Sequence, residues 1–183
     1  AGEPVVEVTG ESAELASSRL FIGTEAVLHR VDRADAVAFL DFDQELLAPR
    51  FRAAEQAFAL LVRAARLLGR RARGGRLLIQ TRLPDHDVIE AARRADPSIT
   101  AAAEGVRRRE LDLPPFTALA RLVGPGAPAF ADGLGALGRV TVAATDEGEF
   151  LVRAADSAAL ADALKAVPRP ASRLRVEVDP LRI

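Results

Sequence analysis

The sequence contains no cysteine, methionine, tryptophan or tyrosine, and its only lysine is Lys165. Without cysteine there are no disulfides and no thiolate metal sites, so packing must hold the fold. Without tryptophan or tyrosine, any stacking on nucleic-acid bases falls to phenylalanine or arginine, which argues against a dedicated single-strand platform. No stretch approaches the roughly 20 uncharged apolar residues of a membrane span. The opening AGEPVVEVTG lacks the charged-then-apolar order of a secretory signal, so a cytoplasmic location and no membrane partner are expected. The missing methionine leads us to expect a part of a longer protein. A formal net charge of -1 makes no case for a polyanion partner by itself. Positive charge carried almost wholly by guanidinium groups has two readings: bidentate phosphate contact, or a high-GC coding bias.

What is present is ample apolar content, 49% of 183 residues, enough for one domain or two small ones. Short apolar runs bounded by turn residues (PVVEV, RLFIG, AVAFLDF, GRLLIQT) read as buried strands. Phe51, Ala54, Phe58, Leu61, Val62, Ala65 and Leu68 recur at helical spacing and predict a helix packed by that face. Strands alternating with helices imply a layered α/β sheet with parallel strands. Two further helices are expected over 85–95 and 99–111, followed by LDLPPF, whose paired prolines remove two backbone donors and force an extended path. A domain boundary is placed there, giving units 1–111 and 112–183. Beyond it, TALARLV, APAFADGLGAL, RVTVAAT, EFLVRA, SAALADALKAV and RLRVEV predict βαββαβ, a ferredoxin-like sandwich. Asp146 to Gly148 supplies the hairpin turn, and Asp156 or Ser157 caps the last helix.

Chemistry-bearing motifs are sparse. A P-loop needs Lys followed by Ser or Thr after a glycine-rich turn, and Lys165 sits in ADALKAV instead. His29 and His86 belong to no metal-binding pattern. Asp41 and Asp43 end an apolar strand, where alternation would turn both carboxylates to one side for metal or acid-base chemistry; the bland reading is a strand end with a helix-capping Asp. At about 100° per residue, Arg52, Gln56, Arg63, Arg66 and Arg70 form one stripe on the long helix. That stripe suits a phosphate backbone or is simply solvated. The triplet Arg107, Arg108, Arg109 has the same alternatives, since basic residues also complement a helix C-terminus.

Read in order, RLFIGTE, VAFLDFDQELLAPRFRAAEQ, GRLLIQTRLPDH, RRRELDLPPF and VEVDPL resemble the C-terminal part of the PriA family, the primosomal protein N′ of replication restart. The resemblance covers almost the whole chain. It implies part of the second RecA-like helicase lobe to about Leu111, then the family's ferredoxin-like C-terminal domain. It further implies an ATP-dependent 3′ to 5′ DNA helicase acting on branched or single-stranded fork DNA, with the single-strand binding protein and primosome proteins as partners. ATP and zinc are implied for the family only. Gly23, Thr24 and Glu25 match the GTQ-like motif V, and together with Asp41, Asp43, Gly69 and Arg70 would line the nucleotide cleft.

The departures from the family pattern bear on activity. Motif VI, a Gln followed by GRAGR, aligns with Arg63, Ala64, Ala65, Arg66, Leu67, Leu68, Gly69 and Arg70, of which only Gly69 and Arg70 survive. An arginine finger places positive charge where phosphoryl transfer develops negative charge, and leucine cannot. Motif V runs into HRVDR in place of KGH-x-FP, and TDEGEF stands where the family often carries a basic, aromatic GRYRW-like hairpin. Degenerate helicase motifs also mark actinobacterial-type members. The expectation is a restart protein portion that binds DNA through Arg63, Arg66, Arg70, Arg107, Arg108 and Arg109, and supports primosome assembly without ATPase or helicase activity. Two alternatives stay open: a parent chain that remains an active helicase using Arg70, and a protein-docking module without direct DNA contact.

Overall fold

The computed structural model describes residues 4–12, 17–69, 74–145 and 148–180. It is a mixed α/β protein in two compact units, Ala1–Pro49 with Ala53–Ala101, and Arg50–Arg52 with Ala102–Ile183. Among the described residues no helix is long and apolar enough to cross a membrane.

In the first unit the four apolar runs form strands β1 (Val5–Val8), β2 (Leu20–Gly23), β3 (Ala36–Phe39) and β4 (Arg76–Ile79). They pair in parallel as β1 with β2 and β3 with β4, two two-stranded sheets. Two single-turn helices, α1 (Val27–Arg30) and α2 (Asp43–Leu46), precede the long α3 (Ala53–Leu68). Phe42, Leu46, Ala57, Leu61, Val88 and Ile89 are among the residues that build this unit's core, with Phe39 and Phe42 edge to face at 5.1 Å.

The inward face of α3 differs from the expected one. Ala53, Ala54, Ala57, Leu61, Ala64 and Leu68 are buried, while Val62 and Ala65 are exposed and Phe51 precedes the helix in the other unit. Alanine at the closest contacts lets the helix backbone approach its neighbours, and the larger Phe58 and Val62 flank that line. The helix stops at Gly69, whose φ of 71° is the left-handed conformation glycine adopts freely.

Helix α4 (Asp87–Arg94) is capped by His86, whose Nδ1 accepts from the Val88 amide at 3.2 Å. That explains the histidine as a capping group. Helix α5 (Pro97–Glu110) starts at Asp96, whose Oδ1 accepts from both the amide (2.9 Å) and hydroxyl (2.7 Å) of Ser98. The compact units divide at Ala101 and Ala102, within α5 and upstream of the Pro114–Pro115 pair, whose peptide bond is cis.

In the second unit, β5 (Ala118–Val123), α6 (Ala127–Ala136), β6 (Thr141–Ala144), β7 (Phe150–Ala154), α7 (Ser157–Ala166) and β8 (Arg175–Val178) follow one another as βαββαβ. The sheet order is β6-β7-β5-β8, with every neighbouring pair antiparallel. Alternation along β5 and β7 sends Ala120, Leu122 and Val152 into a core with Phe130, Leu134 and Leu160. At Gly133 in α6 a Cβ would lie 2.7 Å from Val167 Cγ1, so its absence permits the approach. Asp156 is the cap of α7, accepting from the Ala159 amide at 2.7 Å. The β6–β7 turn places Gly148 at φ 72°, with the Thr145 amide donating to Glu149 O at 2.8 Å; Asp146 lies outside the described residues.

Candidate functional site

The arginine triplet at the end of α5 separates into three environments. Arg107 Nη1 pairs with Glu104 Oε1 at 2.6 Å, one turn back on the helix. Arg108 is buried, with Nε 3.4 Å from Glu104 Oε2, Nη1 donating to the Pro114 carbonyl, and its guanidinium 5.5 Å from the Phe51 ring. Burial of a charge is tolerated only with such partners, so Arg108 and Glu104 hold the segments 50–52 and 102–114 together. Arg109 is different. It is exposed, makes no ion pair among the described residues, and lies over the Phe116 ring at 4.2 Å. That stacking fixes the guanidinium plane and leaves its edge open to an anion.

The stripe on α3 is also divided. Arg52 precedes the helix, pairs with Asp179 at 2.5 Å, and lies over Phe51 at 5.0 Å. Arg63 is exposed but donates from Nε to the Leu28 carbonyl at 3.0 Å, which anchors α1. Arg66 is exposed and unpaired among the described residues. Beside it, Phe58, Val62, Ala65, Gly69, Leu77 and Ala92 help line an apolar hollow of about 580 Å³. Arg70 lies outside the described residues.

The residues matched to the nucleotide cleft have local structural tasks. Gly23 ends β2 so close to β1 that a Cβ would fall 1.8 Å from the Val8 carbonyl oxygen, which no side chain permits. Thr24 and Glu25 form the exposed turn into α1, with their carbonyls accepting from Val27 and Leu28 at 3.1 and 3.0 Å. Asp41 and Asp43 do not share a strand face: β3 ends at Phe39, Asp41 takes φ 51°, and Asp43 opens α2. The chain turns before the alternation reaches them. Asp41 Oδ2 accepts from Gln44 Nε2 at 2.7 Å. Asp43 Oδ1 accepts the Thr81 hydroxyl, and the Arg82 amide reaches its two oxygens at 3.2 and 3.0 Å. The Thr81 bond above all holds the Asp43 carboxyl below its ordinary value; desolvation opposes this, and the Arg82 amide and charge add to the lowering.

Asp43 is thus held by Thr81 and Arg82, and Gly23 makes room for the β1 backbone, so each has a local structural task. Among the described residues no three or more His, Cys, Asp or Glu side chains gather.

The sequence singled out nothing at Arg139 and Arg153, which with Thr117, Thr141 and Asp112 line a polar hollow of about 310 Å³ beside β6 and β7. The signal available was faint: Arg153 and Thr141 fall on the outward alternation of their strands, and neither stands in a basic cluster.

Each unit thus exposes arginines without an ion pair among the described residues: Arg66 in the first, and Arg109, Arg139 and Arg153 in the second. No family model matches the chain. Its sequence is related to proteins named replication restart protein PriA. It is 35% identical to the one from Chlamydia pneumoniae over 106 residues, 57% of this chain and 14% of that protein. With that of Treponema pallidum (strain Nichols) it shares 41% over 81 residues, 44% and 12% of the respective lengths. With that of Bacillus subtilis (strain 168) it shares 32% over 103 residues, 55% and 13%. The matched stretch therefore takes up about one-seventh or less of each relative's length, consistent with a C-terminal portion.

Proposed function

We propose that the chain is a C-terminal portion of a PriA-like replication restart protein, binding branched or single-stranded fork DNA and supporting primosome assembly. In this reading the first unit is part of a RecA-like second helicase lobe, the second unit is a ferredoxin-like domain, and the setting is cytoplasmic. The observation that carries it is the ordered likeness to several PriA proteins. The uncommitted Arg66 and Arg109 are the most available DNA contacts, with Arg63 contributing its free guanidinium edge. Arg107 and Arg108 act mainly through Glu104. Arg70 would join the α3 contacts. No ATPase or helicase activity is assigned to the chain, because motif VI retains only Gly69 and Arg70.

Anisotropy of a labelled fork over a salt series tests the reading. Each phosphate neutralised should contribute about 0.9 to the log-log slope on duplex DNA, so binding through Arg66 and Arg109 predicts a steep fall with salt. No binding at low salt would sink it. A second reading, protein docking without DNA contact, is favoured by the apolar hollow beside α3. It requires Val62→Asp to abolish association with primosome proteins, including the single-strand binding protein, in a chain that shows no DNA affinity.

A further inference from the structure

The polar hollow beside β6 and β7 shares only Asp112 with the stretches of the family resemblance. Its walls include Arg139, Thr141 and Arg153, together with Thr117 and Asp112. Thr141 and Arg153 are directly opposite in the antiparallel β6–β7 ladder, so their side chains leave the same face of the sheet. Arg139 reaches the hollow from the bend before β6, and both arginines are exposed. Neither makes a hydrogen bond or ion pair among the described residues, whereas Arg121 on the same sheet is held between Glu149 at 3.3 Å and Glu177 at 2.9 Å. A sheet that neutralises one arginine with two carboxylates leaves this pair open.

The charge balance narrows the ligand. Asp112 is the one carboxylate among the described residues of the lining, so two guanidinium groups and one carboxylate leave a single positive charge there. The Thr117 hydroxyl donates to the Asp112 carbonyl at 2.6 Å, fixing that wall, and the Thr141 hydroxyl has no partner among the described residues. At about 30 Å³ per water, 310 Å³ holds a phosphate group with several waters. One net positive charge matches a monoanionic phosphodiester better than a phosphate monoester or free phosphate, which carry nearly two negative charges at neutral pH.

We propose that Arg139, Arg153 and Thr141 form a seat for one backbone phosphodiester of a nucleic acid. This deepens the DNA-binding reading and rests on it only for the source of the phosphate. The test uses the whole 183-residue chain and its Arg139→Gln, Arg153→Gln double variant, with circular dichroism to verify folding. Amide and arginine Nε resonances are followed while a single-stranded oligodeoxynucleotide, or inorganic phosphate alone, is added. Shifts at Thr141 and Arg153 with the oligonucleotide, and a salt slope shallower by about 0.7 on single strands in the variant, support the seat. Shifts with inorganic phosphate and none with the oligonucleotide would overturn the phosphodiester assignment and the DNA reading together. Oligonucleotide binding with an unchanged slope, and shifts confined to Arg66 or Arg109, would overturn the seat alone.

Discussion

The two units solve the burial problem differently. The second has one four-stranded antiparallel sheet with α6 and α7 contributing to its core, and its outward side carries polar groups such as Arg121, Arg153 and Glu177. The first has two parallel pairs whose outward positions are largely apolar: Ile22 is 55% exposed and Leu78 is 56% exposed, with Val5 and Leu20 alongside. Antiparallel sheets commonly leave one face to water, whereas parallel sheets are ordinarily covered on both. The first unit therefore presents apolar strand surface that parallel pairing ordinarily covers.

The largest effect that would probe this comparison is in the second unit. Arg108→Ala removes a buried guanidinium and leaves the buried Glu104 with Arg107 as its remaining pair among the described residues, and should cost about 3 kcal/mol, read from chemical denaturation. Arg107→Ala removes a partly exposed pair with the same Glu104 and should cost less than about 1 kcal/mol. Equal losses would erase the distinction drawn between the two arginines. Next, Gly23→Ala should destabilise by about 1–3 kcal/mol, because β1 must move away from the new methyl group. Hydrogen exchange should quicken in β1 and β2 while the second unit keeps its protection; a uniform change would mean the units do not respond separately. The smallest effect is on the outward face of the first unit. Ile22→Thr with Leu78→Thr should change stability by about 0.5 kcal/mol or less and reduce self-association in sedimentation, and an unchanged tendency to associate would remove the significance given to that face. On acidification, Asp43 contributes stability that is present above its unfolded-state value and lost as pH falls through its lowered folded value. Asp43→Asn should flatten that acid limb.

Much of the fold was legible because periodicity reports burial. Every strand and every helix longer than a single turn was anticipated within a few residues, and the βαββαβ order of the second unit followed from period-two and period-3.6 runs separated by turn residues. Helices α1 and α2 escaped because four residues are too few to show a helical repeat. The inward face of α3 was misjudged because large apolar residues outrank alanine in any hydrophobic pattern, although Ala57 and Ala64 are fully buried. The candidate site was less legible. A run of three arginines looks uniform in sequence, yet Glu104, Pro114, Phe51 and Phe116 assign each a different environment. Arg139 and Arg153 meet only through strand pairing, which residue spacing along the chain does not reveal.

In the proposed function, DNA contact rests on arginines the fold leaves uncommitted. The most direct test is the affinity for a labelled fork of Arg109→Gln beside Arg107→Gln, measured by anisotropy across a salt series. Losing one phosphate contact should weaken binding and reduce the salt slope by about one for Arg109→Gln, while Arg107→Gln stays close to the parent chain. Equal behaviour of the two variants, or a fork affinity indifferent to both, would contradict the account.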